Sequence, residues 1–369
     1  MAKFLNIPIS PLMGSSFLNY LKIIFNNSIS PKYYINVFLT FIIIVLLSPF
    51  QLIDKIIIMF SKSKNNEDPV FIIGHWRSGT TFLHNLLCQD KNFGYFNTYN
   101  SLFINNIYSS ILFKTLMKII MPKSRPSDGM KLDVDLPQED EFALSNYTTL
   151  SHYLFFFFPN EYKKFYSENI RLDNNRSLNW INDYHTIIQR IYGYTNKSKI
   201  IIKNPSNTAR IKHLVKKYPN AKFIHIYRNP IFVYLSTYKF FYELFPSVNL
   251  QKIGENKLKE LVIYNYREMY KDYFIQKKLI RKENLIEMSF EDFRSSPLRH
   301  VKRIYQKLNL EGYLISEDSF KKYIEDQKSH KMNSYKIEKD LLKRIKNEFK
   351  QSLKEMNYST TPKNLNILS

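Results

Sequence analysis

The sequence predicts an α/β protein with a central parallel sheet flanked by helices and an N-terminal hydrophobic helical segment. Two observations predict the sheet. Apolar runs rich in isoleucine and phenylalanine alternate with helical patterns after residue 68, the order that builds parallel βαβ units. One of them, "VFII" at Val70–Ile73, runs straight into a glycine-bearing turn and a helix, "GHWRSGTTFLHNLL". A third observation predicts the leading segment: the 21 residues between Lys32 and Asp54, "YYINVFLTFIIIVLLSPFQLI", carry no charge.

That leading stretch, residues 33–53, is close to the roughly 20 residues a helix needs to cross a bilayer. Asn36, Ser48 and Gln51 narrow its apolar centre, and Pro49 is expected to kink the helix or end it. A transmembrane span and an in-plane or re-entrant anchor both fit. Lys22 and Lys32 precede the stretch and Lys55, Lys62 and Lys64 follow it, so flanking charge leaves the membrane side open. Residues 1–60 therefore read as a membrane-associating segment and the polar residues 61–68 as a linker. Residues 69–360 read as the catalytic domain, and 361–369 as a disordered tail.

Strands are expected at Val70–Ile73, Lys199–Ile202, Lys222–Tyr227 and Leu285–Met288, with an amphipathic crossover helix over Thr208–Pro219. Lysine plus arginine exceeds aspartate plus glutamate by 54 − 32 = 22, which suits a phosphorylated small molecule or an anionic membrane surface. No zinc-finger, RRM or KH signature points to nucleic acid. Cys88 is the one cysteine and the eight histidines show no H-x-x-H pair, so neither a disulfide framework nor a structural metal is expected.

The turn after Val70–Ile73 is nearly the phosphate loop G-x-x-x-x-G-K-[ST], with Gly74 and Gly79 in place and Thr80 where the lysine would stand. Backbone N–H groups and a helix N-terminus still offer an anion cradle, making the sheet P-loop-like. Arg77, Thr80 and Thr81 can donate to a compact anion, Arg77 contributing a planar fork of donors, a pattern that suits a nucleotide with a short 5′ group better than a triphosphate with magnesium. A second element lies in "AKFIHIYRNPIFVYLSTYKFF": Arg228 ends a strand, and Ser236 follows eight residues later on a helix opened by Pro230.

With these two motifs the sequence resembles the sulfotransferases that use 3′-phosphoadenosine 5′-phosphosulfate, in the branch of the tyrosylprotein and related bacterial enzymes. The resemblance covers about Pro69 to Tyr335. In that family an R-S-G-T-T loop binds the 5′-phosphosulfate and an R-x7-S element the 3′-phosphate, here Arg77–Thr81 and Arg228 with Ser236. It implies metal-independent, in-line transfer of a sulfuryl group to a hydroxyl or amine. By the same resemblance Lys203, in "IIIKNP", serves the sulfuryl group or bridging oxygen, Arg77 serves the leaving group, and Lys331 reaches the nucleotide. Related enzymes often place a glutamate soon after the first loop's helix. The matching position here is Asn100, which takes no proton at neutral pH, and Glu139 of the cluster Glu139-Asp140-Glu141 is the expected base. Phe290 stands where many relatives have tyrosine.

Other readings stay open at this level. Glu139 also suits helix capping. His75 and Trp76 could border a pocket or pack in the core, and "YLFFFFP" at Tyr153–Pro159 could be core, membrane-facing lip or acceptor groove. A donor-binding but inactive homologue and a P-loop kinase are the alternatives, the kinase weakened by the missing lysine. The hydrophobic N-terminal segment suits a lipid or membrane-proximal glycan acceptor; peptide, polysaccharide and small secondary-metabolite acceptors stay open.

Overall fold

The computed structural model describes residues 9–60, 66–121, 131–327, 335–362 and 365–368. The chain forms two compact, discontinuous units: Met1–Glu67 with Gly94–Ile202 and Phe240–Leu258, and Asp68–Phe93 with Lys203–Lys239 and Lys259–Ser369.

The second unit is built on parallel strands. β1 (Val70–Ile73), too short and too apolar to face water on either side, is buried at all four positions. β2 (Phe93–Gly94) and β3 (Lys199–Lys203) fall where the chain passes from one unit to the other, and within the second unit β4 (Lys222–Tyr227) pairs with β1 in the register Val70↔Lys222 to Ile73↔His225. β5 (Leu285–Ser289) adds to the other edge of β4, from Phe223↔Leu285 to Tyr227↔Ser289. This register brings the turn after β1 and Arg228 after β4 to the same carboxyl end, where open α/β sheets bind ligands. Each expected strand is present within one residue of its predicted bounds.

Two local expectations change. The crossover helix spans Ile211–Lys217, not Thr208–Pro219, because Pro205 opens a separate 3-10 turn over Pro205–Ala209. The end of the chain, expected to lack order after about Thr360, carries β7 (Leu365–Leu368), which pairs in parallel with β6 (Tyr335–Glu338). Ile337 of β6 is buried, which gives that short pair an apolar anchor.

In the first unit two helices near the N-terminus, α1 (Phe17–Phe25) and α2 (Tyr34–Phe60), are adjacent, with Phe17 against Phe41 at 5.7 Å between ring centroids. α2 runs through Pro49 without ending. A proline there leaves the Val45 carbonyl without its helical N–H, and the Ser48 hydroxyl donates to it at 2.8 Å. One face of α2 is tied into the unit: Thr40 Oγ1 accepts from the Ser10 N–H, and Gln51 donates to the Ser15 carbonyl. Asp54 accepts from the N–H groups of Tyr108 and Ser109 at 2.7 and 3.0 Å. Ser109 is the cap residue of a further helix, Ser110–Ile120, so Asp54 sits where a carboxylate suits a helix N-terminus. That helix also packs on α2, Phe113 meeting Phe50 edge to face at 5.0 Å.

The stretch Tyr153–Phe158 resolves as core: each of these six side chains is at most 2% exposed. Phe155 and Phe156 pack against Phe241 and Phe245 with centroid separations between 5.4 and 6.5 Å.

Candidate active site

Gly74 and Gly79 shape the loop because neither position accepts a side chain. Both have positive φ, +137° and +91°, a region costly for other residues. A Cβ on Gly74 would lie 2.2 Å from the Ile226 carbonyl oxygen, and one on Gly79 would lie 2.2 Å from the Phe290 ring. Gly79 is the N-cap of the helix α3, Thr80–Leu87, so Thr80 and Thr81 occupy its first turn, where backbone N–H groups lack intrahelical acceptors. The loop's entry is fixed by the Gly74 N–H donating to Thr208 Oγ1 at 2.7 Å. Arg77 itself has φ of 67°, a left-handed conformation uncommon for a residue with a side chain.

The two phosphate-type motifs meet at that residue. Arg77 Nε donates to Ser236 Oγ at 3.0 Å, and Arg228 Nη1 lies 3.4 Å from the Arg77 carbonyl oxygen. The Arg228 guanidinium also stacks near Phe290 and Phe232, 5.2 and 5.7 Å from their centroids. Burial has the largest influence on Arg228 and pulls its pKa below the ordinary guanidinium value; Tyr335 and Glu291 oppose that pull and Arg77 adds to it. Two permanent cations held this close, one largely buried, form a donor set suited to an anion with several oxygens. Buried Lys203, at the end of β3, places Nζ 3.4 Å from Thr81 Oγ1.

Beneath the loop, His75 is fully buried with its ring against Trp76 and Tyr266, centroids 5.1 and 5.0 Å away. Burial holds its pKa down to about 3, and Nδ1 lies 3.0 Å from the Trp76 carbonyl. His75 is therefore a neutral packing residue. Glu287 on β5 is bound by the Tyr273 hydroxyl at 2.6 Å and lies 3.3 Å from both His225 Nδ1 and Lys277 Nζ. Burial pushes its pKa up, but His225, Tyr273 and Lys277 outweigh it and leave the carboxyl at about 2.

The acidic cluster belongs to the first unit, and its three members do different work. Glu141 is fully buried in the first turn of the helix Glu141–Tyr147, accepting from the His152 N–H at 2.7 Å and the Ser151 hydroxyl at 3.0 Å. It is the structural carboxylate. Asp140 is the helix's N-cap position and makes no side-chain cap bond. Glu139 stands outside the helix, half-buried, and accepts a short hydrogen bond from the Tyr153 hydroxyl. Asn100 is fully buried on the helix Thr98–Leu102, and neither side-chain polar atom has a partner among the described residues.

Of the residues singled out from the sequence, Arg77, Ser78, Gly79, Thr80, Thr81, Arg228, Ser236 and Lys203 lie in the second unit, with Arg77, Arg228 and Ser236 drawn together and Lys203 beside Thr81. Glu139 lies in the first unit, and Lys331 falls outside the described residues. Thr208, Phe290 and Tyr153 were not expected in these supporting roles. Phe290 and Tyr153 lie in stretches singled out for other reasons, and these roles escape the sequence because each acts through a partner distant along the chain. Among the described residues no cluster of three or more histidine, cysteine or acidic side chains could hold a metal ion.

A parallel sheet whose first strand runs into a lysine-free glycine turn, with Arg228 held against Arg77 beside it, suits a group-transfer enzyme acting on an anionic substrate. Residues 69–313 match the profile described as the Sulfotransferase family, and the chain belongs to that family. It is 32% identical over 274 residues, 73% of this chain and 70% of the relative, to a protein named omega-hydroxy-beta-dihydromenaquinone-9 sulfotransferase Stf3 from Mycobacterium bovis, and equally to its Mycobacterium tuberculosis counterpart. The fold is shared with the crystal structure of sulfotransferase STF9 from Mycobacterium avium: TM-score 0.67 at 12% identity, covering 94% of this chain and 97% of that one. Sulfotransferase STF1 from Mycobacterium tuberculosis has TM-score 0.64 at 13% identity, covering 91% and 93%. The protein is an enzyme, a transferase of sulfuryl groups, and the kinase and binding-only alternatives are not favoured.

Proposed function

We propose that the enzyme uses 3′-phosphoadenosine 5′-phosphosulfate as donor and sulfates a hydroxyl on a membrane-soluble lipid. Arg77, bonded through its side chain to Ser236 and through its carbonyl to Arg228, supports the donor half of this reading. The likeness to a relative named for a dihydromenaquinone acceptor supports the lipid half.

The donor supplies an activated sulfuryl group. Arg77 and the loop N–H groups of Ser78 to Thr81 bind its 5′ end, while Arg228 and Ser236 bind the 3′-phosphate. Lys203, presented beside Thr81, offsets negative charge developing on the bridging oxygen as the S–O bond to phosphate breaks. Glu139 removes the acceptor proton as the new O–S bond forms, and the Tyr153 hydroxyl fixes which carboxylate oxygen is engaged. Adenosine 3′,5′-bisphosphate and a sulfate monoester leave.

Calorimetric titration with adenosine 3′,5′-bisphosphate tests the donor assignment. The expected result is binding by the intact chain, no binding of ATP, and at least a tenfold loss in Arg228→Ala. Folded protein that ignores the bisphosphate, or binds ATP equally well, sinks it. Activity assays with a hydroxylated isoprenoid quinol beside a water-soluble sugar then test the acceptor class, and sulfation of the sugar alone would refute the lipid assignment.

A further inference from the structure

We propose that α1, α2 and the helix Ser110–Ile120 form a monotopic membrane seat, lying in the plane of one leaflet of an anionic bilayer, and that α2 does not cross it. The inference deepens the lipid-acceptor reading and rests on it for the choice of a bilayer as occupant.

The three helices are neighbours, joined by the Phe17–Phe41 and Phe50–Phe113 contacts. Their outward faces are apolar and open to solvent: Phe25 of α1 is 81% exposed, Phe60 of α2 83%, and Ile111 and Ile119 of the third helix 83% and 77%. An 18-residue window of α2 has mean hydropathy 2.2 yet is only 22% buried. Soluble monomers rarely leave so extended an apolar face uncovered.

Composition alone would allow a span, but the inward face of α2 argues for lying flat. Its buried positions, Thr40, Ile44, Leu47, Gln51 and Asp54, recur at spacings of four and three, one continuous stripe along the helix. Thr40, Leu47, Gln51 and Asp54 along it hydrogen-bond to backbone or side chains of residues 10, 15, 106, 108 and 109. Carrying α2 through a bilayer would drag this irregular, amide-rich chain to hydrocarbon depth, or strip Gln51 and Asp54 of their partners. Lying parallel to the surface requires neither. Charge also matches an anionic surface. Lys22, Lys32, Lys55 and Lys118 are exposed on or beside the three helices, while their only acid, Asp54, is buried inward.

The test uses the full chain and vesicles of phosphatidylglycerol and phosphatidylcholine. Cys88, the one native thiol, is buried and its pKa is raised by burial, so engineered cysteines report alone. Lys32→Cys and Glu67→Cys, flanking α2, should both react with a membrane-impermeant maleimide added outside sealed vesicles. Phe25→Asp and Ile111→Asp should each lower flotation at least tenfold while leaving bisphosphate binding unchanged. Protection of one flanking cysteine until the vesicles are lysed would show a span and overturn the proposal. So would flotation indifferent to both aspartates, or a detergent-free dimer that buries Phe25 and Ile111. Donor binding is read separately, so failure here is distinct from failure of the sulfotransferase assignment.

Discussion

Glu139 and Glu141 sit two residues apart, and their partners separate their roles. Glu141 is held by the Ser151 hydroxyl and the His152 N–H inside the core, whereas Glu139 is half-buried and accepts from the Tyr153 phenol. Glu139→Gln should therefore lower kcat by about 10²–10⁴-fold, the usual worth of a general base, with bisphosphate affinity unchanged in calorimetry. Tyr153→Phe should act mainly on the pH profile of kcat, because it changes how the carboxylate is held. Equal loss of donor binding in Glu139→Gln would show that the residue supports the fold instead. Arg77, Arg228 and Ser236 were legible in the sequence because short spacings fix them relative to strand ends. Tyr153 was not, since "YLFFFFP" reads as apolar bulk and only the fold reveals that its one hydroxyl faces a carboxylate.

At the scale of elements, strands were easier to read than helix faces. β1, β4 and β5 are short apolar runs bounded by turn residues, and a buried parallel strand needs little else. The inward face of α2 was not legible: Gln51 read as a polar interruption of the apolar stretch and Asp54 as its boundary, while the partners of Thr40, Gln51 and Asp54 at residues 10, 15 and 108 lie 30 or more positions away. Of the two outcomes expected at Pro49, a kink or an end, the end does not occur: α2 continues to Phe60 and Ser48 satisfies the freed carbonyl. Asp54→Ala should destabilise the first unit by about 1–3 kcal/mol, since two half-buried N–H groups lose their acceptor. A denaturant midpoint measured in mild detergent checks this, and an unchanged midpoint would mean that water replaces the carboxylate.

For the molecule as a whole, acid stability follows from buried neutral histidines. Burial lowers His75 to about 3 and His213 to about 4, and His225 is also lowered by burial although Glu287 opposes it. The unfolded chain binds these protons near pH 6.5 and the folded chain does not, so stability is full above that value and declines as pH falls toward 4. Glu287, depressed to about 2, extends the loss from about pH 4.5 downward. The thermal midpoint should fall between pH 7.5 and 5.5, with His75 alone contributing about 1 kcal/mol over that interval, and His75→Gln should flatten the slope. A midpoint independent of pH across that range would contradict the buried, neutral assignment.

The Arg228 guanidinium, held against the Arg77 carbonyl and feeling the Arg77 charge, also couples the fold to its solvent. Any small oxyanion that seats beside it favours the folded chain by mass action, by about 2.7 kcal/mol at a hundred times its dissociation constant. Melting curves in phosphate should therefore lie above those in a chloride buffer of equal pH and ionic strength, and the gap should close in Arg228→Ala. For this protein the choice of buffer salt is itself a choice of ligation state.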